Sequence, residues 1–218
     1  MGCYRALILD FDGTLAATLE DVVWCMGQTF QSFGLPAPPS AAVQATMGLP
    51  LEDALRLLSQ DQCRSAEQEW VRAYREIYRM EGGHRTALFP GAVEVLASAQ
   101  GRGVRTMVVS NKGVAALRSH LARLHLLSSV DVILGGDSVP CRKPDPQLYR
   151  AEMSPRLAGI RDQEVLVVGD TETDLKFANG AGLDSCWASY GYGNLHRCLD
   201  LRPSHVINSM YELEPLLA

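Results

Sequence analysis

Short apolar runs rich in β-branched residues alternate with segments of helical periodicity along most of the chain. Six of these runs predict β-strands, at residues 6–9, 104–109, 130–134, 165–168, 185–188 and 205–207. Four of the periodic segments predict helices, at residues 91–100, 114–124, 173–181 and 210–217. Near-continuous apolar strands separated by helices are typical of a parallel sheet that helices cover on both faces. The pattern therefore predicts an α/β fold with a doubly wound, Rossmann-like parallel sheet.

One interval departs from this alternation. Residues 10–103 separate the first two strands, whereas a whole βαβ unit takes roughly 30 residues. Residues 16–88 are helical in pattern, and Ser65 and Gln68 predict a capping box before a helix at residues 70–80. We therefore expect an inserted α-helical cap domain at residues 16–88 and a core domain formed by residues 1–15 and 89–218.

Composition narrows the class of protein. With 218 residues, 47% of them hydrophobic, the chain can bury a sizeable core. The formal net charge is −5 and there is no block of lysines or arginines, so we expect no nucleic-acid partner. No apolar run reaches the roughly 18 residues of a membrane span, so we expect no membrane partner and a cytoplasmic location. We also expect a monomer or a homodimer.

The cysteines show no pattern of a metal site. No C-x-x-C pair occurs, and no histidines stand at zinc spacing. We expect all six to be small buried residues in a reducing compartment: Cys3, Cys25, Cys63, Cys141, Cys186 and Cys198.

Polar residues and glycines follow four of the predicted strands, at the points where the strands end. They are Asp10, Asp12, Gly13 and Thr14 after the first strand, Ser110, Asn111 and Lys112 after the second, Arg142, Lys143 and Pro144 after the third, and Gly169, Asp170 and Asp174 after the fourth. In open α/β sheets, ligands bind outside the carboxyl ends of the strands, near the point where the strand order reverses. We therefore expect these segments to form one site.

Carboxylates gathered in one crevice repel each other, by about 4 kcal/mol for two unit charges roughly 4 Å apart at an effective dielectric of 20. They need a cation, and oxygen ligands in a partly open site suit Mg²⁺. A lysine with hydroxyl and amide donors beside the ion suits a phosphoryl group. Two carboxylates at positions i and i+2, Asp10 and Asp12, can then divide the work of nucleophile and acid–base.

Each segment, taken alone, also fits a structural role. An Asp-Gly pair favours a turn, and a Ser-Asn pair can cap a helix. A lysine before proline is usually solvated in extended backbone, and acidic residues favour a helix N-terminus. Their joint occurrence at successive strand ends favours a site.

Four motifs, DFDGTL, VVSN, RKPDP and VGDTETD, resemble in this order the haloacid dehalogenase superfamily of phosphohydrolases, and the resemblance covers essentially the whole chain. The helical insertion resembles the α-helical cap of the phosphoglycolate phosphatase group of that superfamily. Three segments, LFPGAVEVL, GLPLEDAL and SYGYG, also resemble that group. One departure is visible. The family commonly has an acidic residue soon after DGTL, where this chain has Ala16, Ala17 and Thr18.

The resemblance implies catalytic and metal-binding roles for four aspartates. Asp10 would be the nucleophile that forms an aspartyl-phosphate, and Asp12 would be the acid and base. Mg²⁺ would be held by the side chains of Asp10 and Asp170 and by the backbone carbonyl of Asp12. Asp174 would support the metal from behind these ligands.

The same resemblance implies how the phosphoryl group is held. Ser110 and Asn111 would bind phosphoryl oxygens, and Lys143 would neutralise the nucleophile and the phosphate. We expect Gly13 and Thr14 to contribute to substrate binding as well.

Details of the cap are open at this level. Lys112 fits either the edge of the site or solvent, and Gly48 fits a cap loop over the site. Arg72, Arg75 and Arg79 recur at helical spacing and predict a solvated face, from which one arginine could reach a substrate carboxylate.

The leading hypothesis is a Mg²⁺-dependent phosphomonoesterase that acts on a small phosphorylated metabolite, with phosphoglycolate as the first candidate. A phosphosugar mutase would share the nucleophile and the cap, and would return the phosphoryl group to sugar. A 2-haloacid dehalogenase would need neither Mg²⁺ nor Asp12. A non-catalytic sensor of a phosphorylated ligand would tolerate the loss of a catalytic carboxylate, whereas this chain has them all.

Overall fold

The computed structural model describes residues 4–218, whose main element is a six-stranded parallel sheet in the order β5-β4-β1-β6-β7-β8. The strands of the described chain are β1 (Ala6–Leu9), β2 (Ala16–Ala17), β3 (Ala87–Leu88), β4 (Arg105–Ser110), β5 (Val132–Gly135), β6 (Val165–Gly169), β7 (Asp184–Ala188) and β8 (His205–Ile207). All six predicted strands form, each within two residues of its predicted bounds. The doubly wound α/β fold is confirmed.

Helices connect the strands. They are α1 (Leu19–Ser32), α2 (Ser40–Gln44), α3 (Leu51–Ser59), α4 (Glu67–Glu81), α5 (Ala92–Gly101), α6 (Val114–Arg123), α7 (Glu172–Ala181) and α8 (Leu195–Asp200). Because side chains alternate along a strand, β1 contributes to the apolar cores on both faces of the sheet. Leu7 and Leu9 belong to one core, and Ala6 and Ile8 belong to the other.

Helices α1 to α4 form a separate apolar cluster, here called the cap cluster. The ring of Trp70 stacks on Phe33 with centroids 4.2 Å apart and meets Phe30 edge-on at 5.0 Å. The chain leaves the sheet and returns to it through β2 and β3, which pair with each other in antiparallel fashion. This two-stranded ribbon lies at the predicted ends of the insertion.

Two local predictions are wrong. Ser65 lies in a 3₁₀ turn, Arg64–Ala66, and α4 begins at Glu67 without a side-chain cap bond. The predicted C-terminal α-helix is a 3₁₀ helix, Met210–Leu216, which contains Pro215. Proline lacks the N–H that an α-helical hydrogen bond requires.

The cysteines follow the prediction with one exception. Cys25, Cys63, Cys186 and Cys198 are buried, whereas Cys141 is half-buried, and Cys3 lies outside the described residues. Within residues 4–218, no helix combines the length and apolar character that crossing a bilayer requires.

Candidate active site

Three buried carboxylates meet at the carboxyl edge of the sheet. Asp10, Asp170 and Asp174 each offer an oxygen, and these oxygens lie within 4.8 Å of one another. β1 and β6 are neighbours, with Leu9 opposite Val168, and the Asp10 N–H donates to the Val168 carbonyl at 2.9 Å. The strand order reverses between these two strands, which is where open α/β sheets bind ligands.

One lysine serves this cluster. The Lys143 Nζ lies 2.6 Å from Asp10 Oδ1 and 2.6 Å from Asp174 Oδ1. Burial raises the pKa of Asp10 to about 7, although Lys143 opposes the shift. Burial disfavours the charged form of Lys143, but Asp10 and Asp174 outweigh it and raise the lysine pKa. Three carboxylates against one ammonium leave an excess of negative charge in a buried site.

Asp170 is held by two hydrogen bonds. Its Oδ1 accepts from the Thr14 hydroxyl at 3.0 Å, and its Oδ2 accepts from the Tyr192 N–H at 2.7 Å. Burial, and then the charges of Asp10 and Asp174, raise the pKa of Asp170 well above its usual range.

Gly13 and Thr14 both pack against Asp170. The sequence predicts that both residues contact the substrate. A Cβ on Gly13, whose φ is +90°, would lie 2.3 Å from Asp170 Oδ2. Thr14 is fully buried and its hydroxyl is bound to the same carboxylate. The structure therefore gives both residues contacts with Asp170, because the turn after β1 packs directly against the end of β6.

The SYGYG segment connects Asp170 to the cap cluster. A Cβ on Gly191 would lie 2.2 Å from Asp170 Cβ, so only glycine allows this approach. The Tyr192 hydroxyl accepts from the N–H groups of Thr18 at 2.8 Å and Leu19 at 3.1 Å. It thereby caps α1, in place of the Thr18 side chain, which makes no cap bond.

Asp174 is oriented by a capping box at the start of α7. Its Oδ2 accepts from the Thr171 N–H at 3.1 Å and the Thr171 hydroxyl at 2.8 Å. Its other oxygen is thereby directed at Lys143. The predicted helix N-terminal position and the predicted site position of Asp174 are thus both observed.

Asn111 joins the cap cluster to the site. Its Nδ2 donates to the carbonyls of Gly48 and Lys143, each at 2.9 Å. Both side-chain N–H groups of Asn111 therefore have backbone partners, and its binding of phosphoryl oxygens stays a prediction. Gly48, with φ +84°, lies in the loop before α3, and a Cβ there would be 2.6 Å from Thr171 Oγ1. Ser110, at the end of β4, is buried and borders the cavity.

Asp12 pairs with a different lysine from that of Asp10. The Lys112 Nζ lies 3.0 Å and 3.3 Å from the two Asp12 oxygens. Burial raises the pKa of Asp12, but the Lys112 charge and its hydrogen bonds outweigh burial, and the resulting pKa is lowered. The sequence leaves open whether Lys112 lies at the edge of the site or in solvent. In the structure it lies at the site, bound to Asp12.

Tyr78 of the cap cluster covers this pair. Its ring centroid lies 4.3 Å from Lys112 Nζ, in a cation–π contact. Its hydroxyl lies 2.8 Å from Nε2 of His120 on α6, and both residues are buried. Burial, and then the Lys112 charge, lower the pKa of His120 to about 4, so the ring is neutral at pH 7.

A cavity of about 340 Å³ lies between the cap cluster and the sheet domain. Of the residues predicted at the strand ends, six border it: Asp10, Asp12, Ser110, Asn111, Lys112 and Arg142. The predicted residues that lie behind this border are Gly13, Thr14, Lys143, Asp170 and Asp174. Two carboxylates and a hydroxyl, those of Asp10, Asp12 and Ser110, therefore face one cavity, an arrangement that suits nucleophilic and acid–base chemistry.

Sequence reasoning missed Tyr78, His120 and Tyr192. Tyr78 has the spacing of an ordinary core residue on α4, and His120 shows no local signal. Tyr192 belongs to SYGYG, and its two glycines could have indicated a close backbone approach.

The chain is similar to a family model, to known phosphatases and to a solved structure. A model of the haloacid dehalogenase-like hydrolases matches residues 7–188. The chain is 27% identical to the phosphoglycolate phosphatase of Nitrosococcus oceani over an alignment of 219 residues, gaps included. This alignment covers 97% of this chain and 96% of that protein. It is 31% identical to the probable phosphatase IndB of Dickeya dadantii over 213 residues, covering 95% and 90% of the two chains. The fold matches the crystal structure of a haloacid dehalogenase-like hydrolase of Bacteroides fragilis with a TM-score of 0.89 at 23% identity, covering 96% and 99% of the two chains.

We predict that Tyr78→Phe lowers the free energy of unfolding by about 1–3 kcal/mol, because it leaves a buried His120 nitrogen without its partner. Urea unfolding measures the change. Tyr74→Phe is the matched control, since Tyr74 stacks on Tyr78 at 5.6 Å and its hydroxyl has no hydrogen-bond partner among the described residues. Equal losses in the two variants would contradict the assigned role of the Tyr78–His120 bond.

Proposed function

This chain belongs to the haloacid dehalogenase-like hydrolases and is a phosphatase, and we propose that it hydrolyses phosphate monoesters of small metabolites through a phosphorylated Asp10. The family match confirms the resemblance of the four motifs. Phosphoglycolate is the first compound to test, because it is the substrate named in the N. oceani phosphatase.

The position of Asp10 carries the proposal. Its carboxylate borders the cavity and is bound to Lys143 at 2.6 Å. The cavity wall beside it includes Asp12 and the buried Ser110. A buried carboxylate has no structural need to face a cavity, whereas a nucleophile must do so.

Two steps follow from these residues. In the first, an Asp10 oxygen forms a bond to phosphorus while the bond from phosphorus to the ester oxygen breaks. Asp12, which is ionised beside Lys112 in the free protein, takes the proton of the monoanionic ester and gives it to the departing oxygen. In the second, Asp12 takes a proton from water, whose oxygen bonds to phosphorus and releases Asp10. The products are the alcohol and inorganic phosphate. Lys143 offsets the charge of Asp10 and of the phosphoryl oxygens.

The site residues fit a divalent cation. Three buried carboxylates with one lysine leave negative charge uncompensated, and every donor is an oxygen, the type that Mg²⁺ prefers. Asp10, Asp170 and the Asp12 carbonyl would hold the ion, with Asp174 beside them. The ion would supply positive charge where the phosphoryl oxygens gain negative charge.

The cap cluster gives the cavity its second wall. We propose that residues 16–88 act as the cap domain and that the core is formed by residues 1–15 and 89–218. Asn111 and Tyr192 support this role, because each bonds to backbone of the cap cluster and each belongs to a segment that contacts the carboxylates.

We predict that Asp10→Asn lowers Mg²⁺-dependent phosphate release by about 10³-fold or more, because an amide is a poor nucleophile. A panel of phosphorylated metabolites is the substrate set. Asp200→Asn, an exposed change at the end of α8, is the control and should keep wild-type activity.

Two results would contradict this mechanism. Full activity in Asp10→Asn would exclude Asp10 as the nucleophile. An isomerised hexose phosphate without free phosphate would replace hydrolysis by mutase chemistry.

We predict that Mg²⁺ at about 100 times its Kd stabilises the protein by about 2.7 kcal/mol, which raises Tm by about 5–10 °C. Thermal melting, with sodium chloride at equal ionic strength as the reference, measures this shift. Asp170→Asn should remove most of the shift, and Asp200→Asn should retain it. A full shift in Asp170→Asn would place the ion elsewhere.

A further inference from the structure

The cavity continues well beyond the carboxylates, along the surface of α6. Ala115, Ser119 and Arg123 recur every four residues on this helix and all border the cavity. At about 1.5 Å per residue, Ala115 and Arg123 are about 12 Å apart along the helix axis. Lys112, which is bound to Asp12, stands before the first turn of this helix. The cavity therefore extends about 12 Å along α6, from the end of the helix beside Lys112 and Asp12 to Arg123.

Much of the cavity wall between the polar side chains is apolar. Its walls include Met26, Met47, Leu51, Tyr74 and Tyr78, all from the cap cluster or the loops within it. A volume of about 340 Å³ reaches the range of roughly 300–1,000 Å³ typical of pockets for drug-sized ligands. Phosphoglycolate has only two carbon atoms, and it would leave most of this space unfilled.

Five cationic side chains border the cavity, and three of them are neutralised. Lys112 pairs with Asp12 at 3.0 Å. Arg142 pairs with Glu52 at 2.9 Å. Arg75 lies between two acids, with Asp137 at 3.7 Å and Glu52 at 3.9 Å.

The other two cations, Arg79 and Arg123, form no ion pair with any acidic side chain of residues 4–218. Arg123 donates only to neutral acceptors, the Gly82 carbonyl at 3.4 Å and the His120 ring at 3.3 Å. Since a guanidinium has five N–H donors, several stay available to a ligand. Arg79 lies in the last turn of the cap helix α4, and Arg123 is the last residue of the core helix α6. Among the described residues, the cavity therefore has one unpaired arginine from each of its two sides.

We propose that Arg79 and Arg123 bind a second anionic group of the substrate, remote from the phosphate ester. This inference rests on the proposed phosphatase function and specifies its substrate class. The substrate is an elongated phosphate monoester with a largely apolar middle and a carboxylate or second phosphate at its far end. Phosphoglycolate has only two carbon atoms between its ester oxygen and its carboxylate oxygens, a much shorter span than the roughly 12 Å over which the cavity follows α6.

The test uses ω-phosphorylated straight-chain acids of two, four, six and eight carbons, the first of which is phosphoglycolate. Each acid is compared with a phosphate monoester of equal length that ends in a hydroxyl group instead of the carboxylate, here called the alcohol. A bisphosphate of each length shows whether the far end prefers a carboxylate or a second phosphate. We expect kcat/KM to rise with length to six or eight carbons. At the best length, an anionic end should raise kcat/KM over the alcohol by about tenfold or more.

Four variants assign this discrimination to residues. Arg79→Gln and Arg123→Gln should each lower the ratio of kcat/KM for acid over alcohol by about tenfold, mainly through KM. Arg72→Gln on α4 and Arg118→Gln on α6 are matched controls, because both are exposed and neither borders the cavity. They should keep the wild-type ratio.

Failure of the inference differs from failure of the proposed function. Phosphoglycolate as the best substrate, equal rates for acid and alcohol, or equal ratios in all four variants would overturn the inference and leave the phosphatase in place. No phosphate release from any compound, p-nitrophenyl phosphate included, would overturn the proposed function. In that case, calorimetry measures the binding of non-hydrolysable phosphonates of the same series. Tighter binding of the longer acids than of phosphonates with two carbons or with a hydroxyl end would support the inference, and equal binding would overturn it.

Discussion

Repulsion among Asp10, Asp170 and Asp174 is the constraint on which the rest of this structure depends. Their oxygens lie within 4.8 Å of one another, and one ammonium, Lys143, contacts two of them. Burial raises the pKa of Asp10 and of Asp170, because the ionised carboxylates are costly in this site. A divalent cation removes this cost by favouring the ionised forms. The three carboxylates therefore form a group that could hold a metal ion.

The surrounding elements hold the charges in place. The reversal of strand order brings β1 beside β6, and the hydrogen bond from Asp10 N–H to the Val168 carbonyl fixes Asp10 in register. Hydroxyl and backbone donors from Thr14 and Tyr192 orient Asp170. Tyr192 also caps α1, so the geometry of one site carboxylate and the position of the cap cluster are coupled through one residue. Asn111 makes a second such connection.

The sequence predicted those features that follow from one strand and its end. A buried parallel strand is a short apolar run, and parallel strands bring their carboxyl ends to one edge, so the aspartates could be gathered without knowing any distance. The pairs Lys112–Asp12 and Tyr78–His120 could not be derived this way. They join residues far apart in the chain, across the boundary between cap cluster and sheet, and neither leaves a periodic signal. The predicted capping box at Ser65 is wrong for a local reason, because Ser65 lies inside a 3₁₀ turn and α4 begins two residues later, at Glu67.

The central claim, a phosphorylated Asp10, is tested most directly by trapping. With p-nitrophenyl phosphate the leaving group needs no proton, so Asp12→Asn should form the phosphoenzyme and fail to hydrolyse it. Acid quenching of this variant after mixing with radiolabelled substrate and Mg²⁺, followed by peptide mapping, measures the label. The account predicts close to one label per chain, labile to hydroxylamine and confined to the peptide that contains Asp10. Continued turnover without trapped label, or label on another residue, would contradict it.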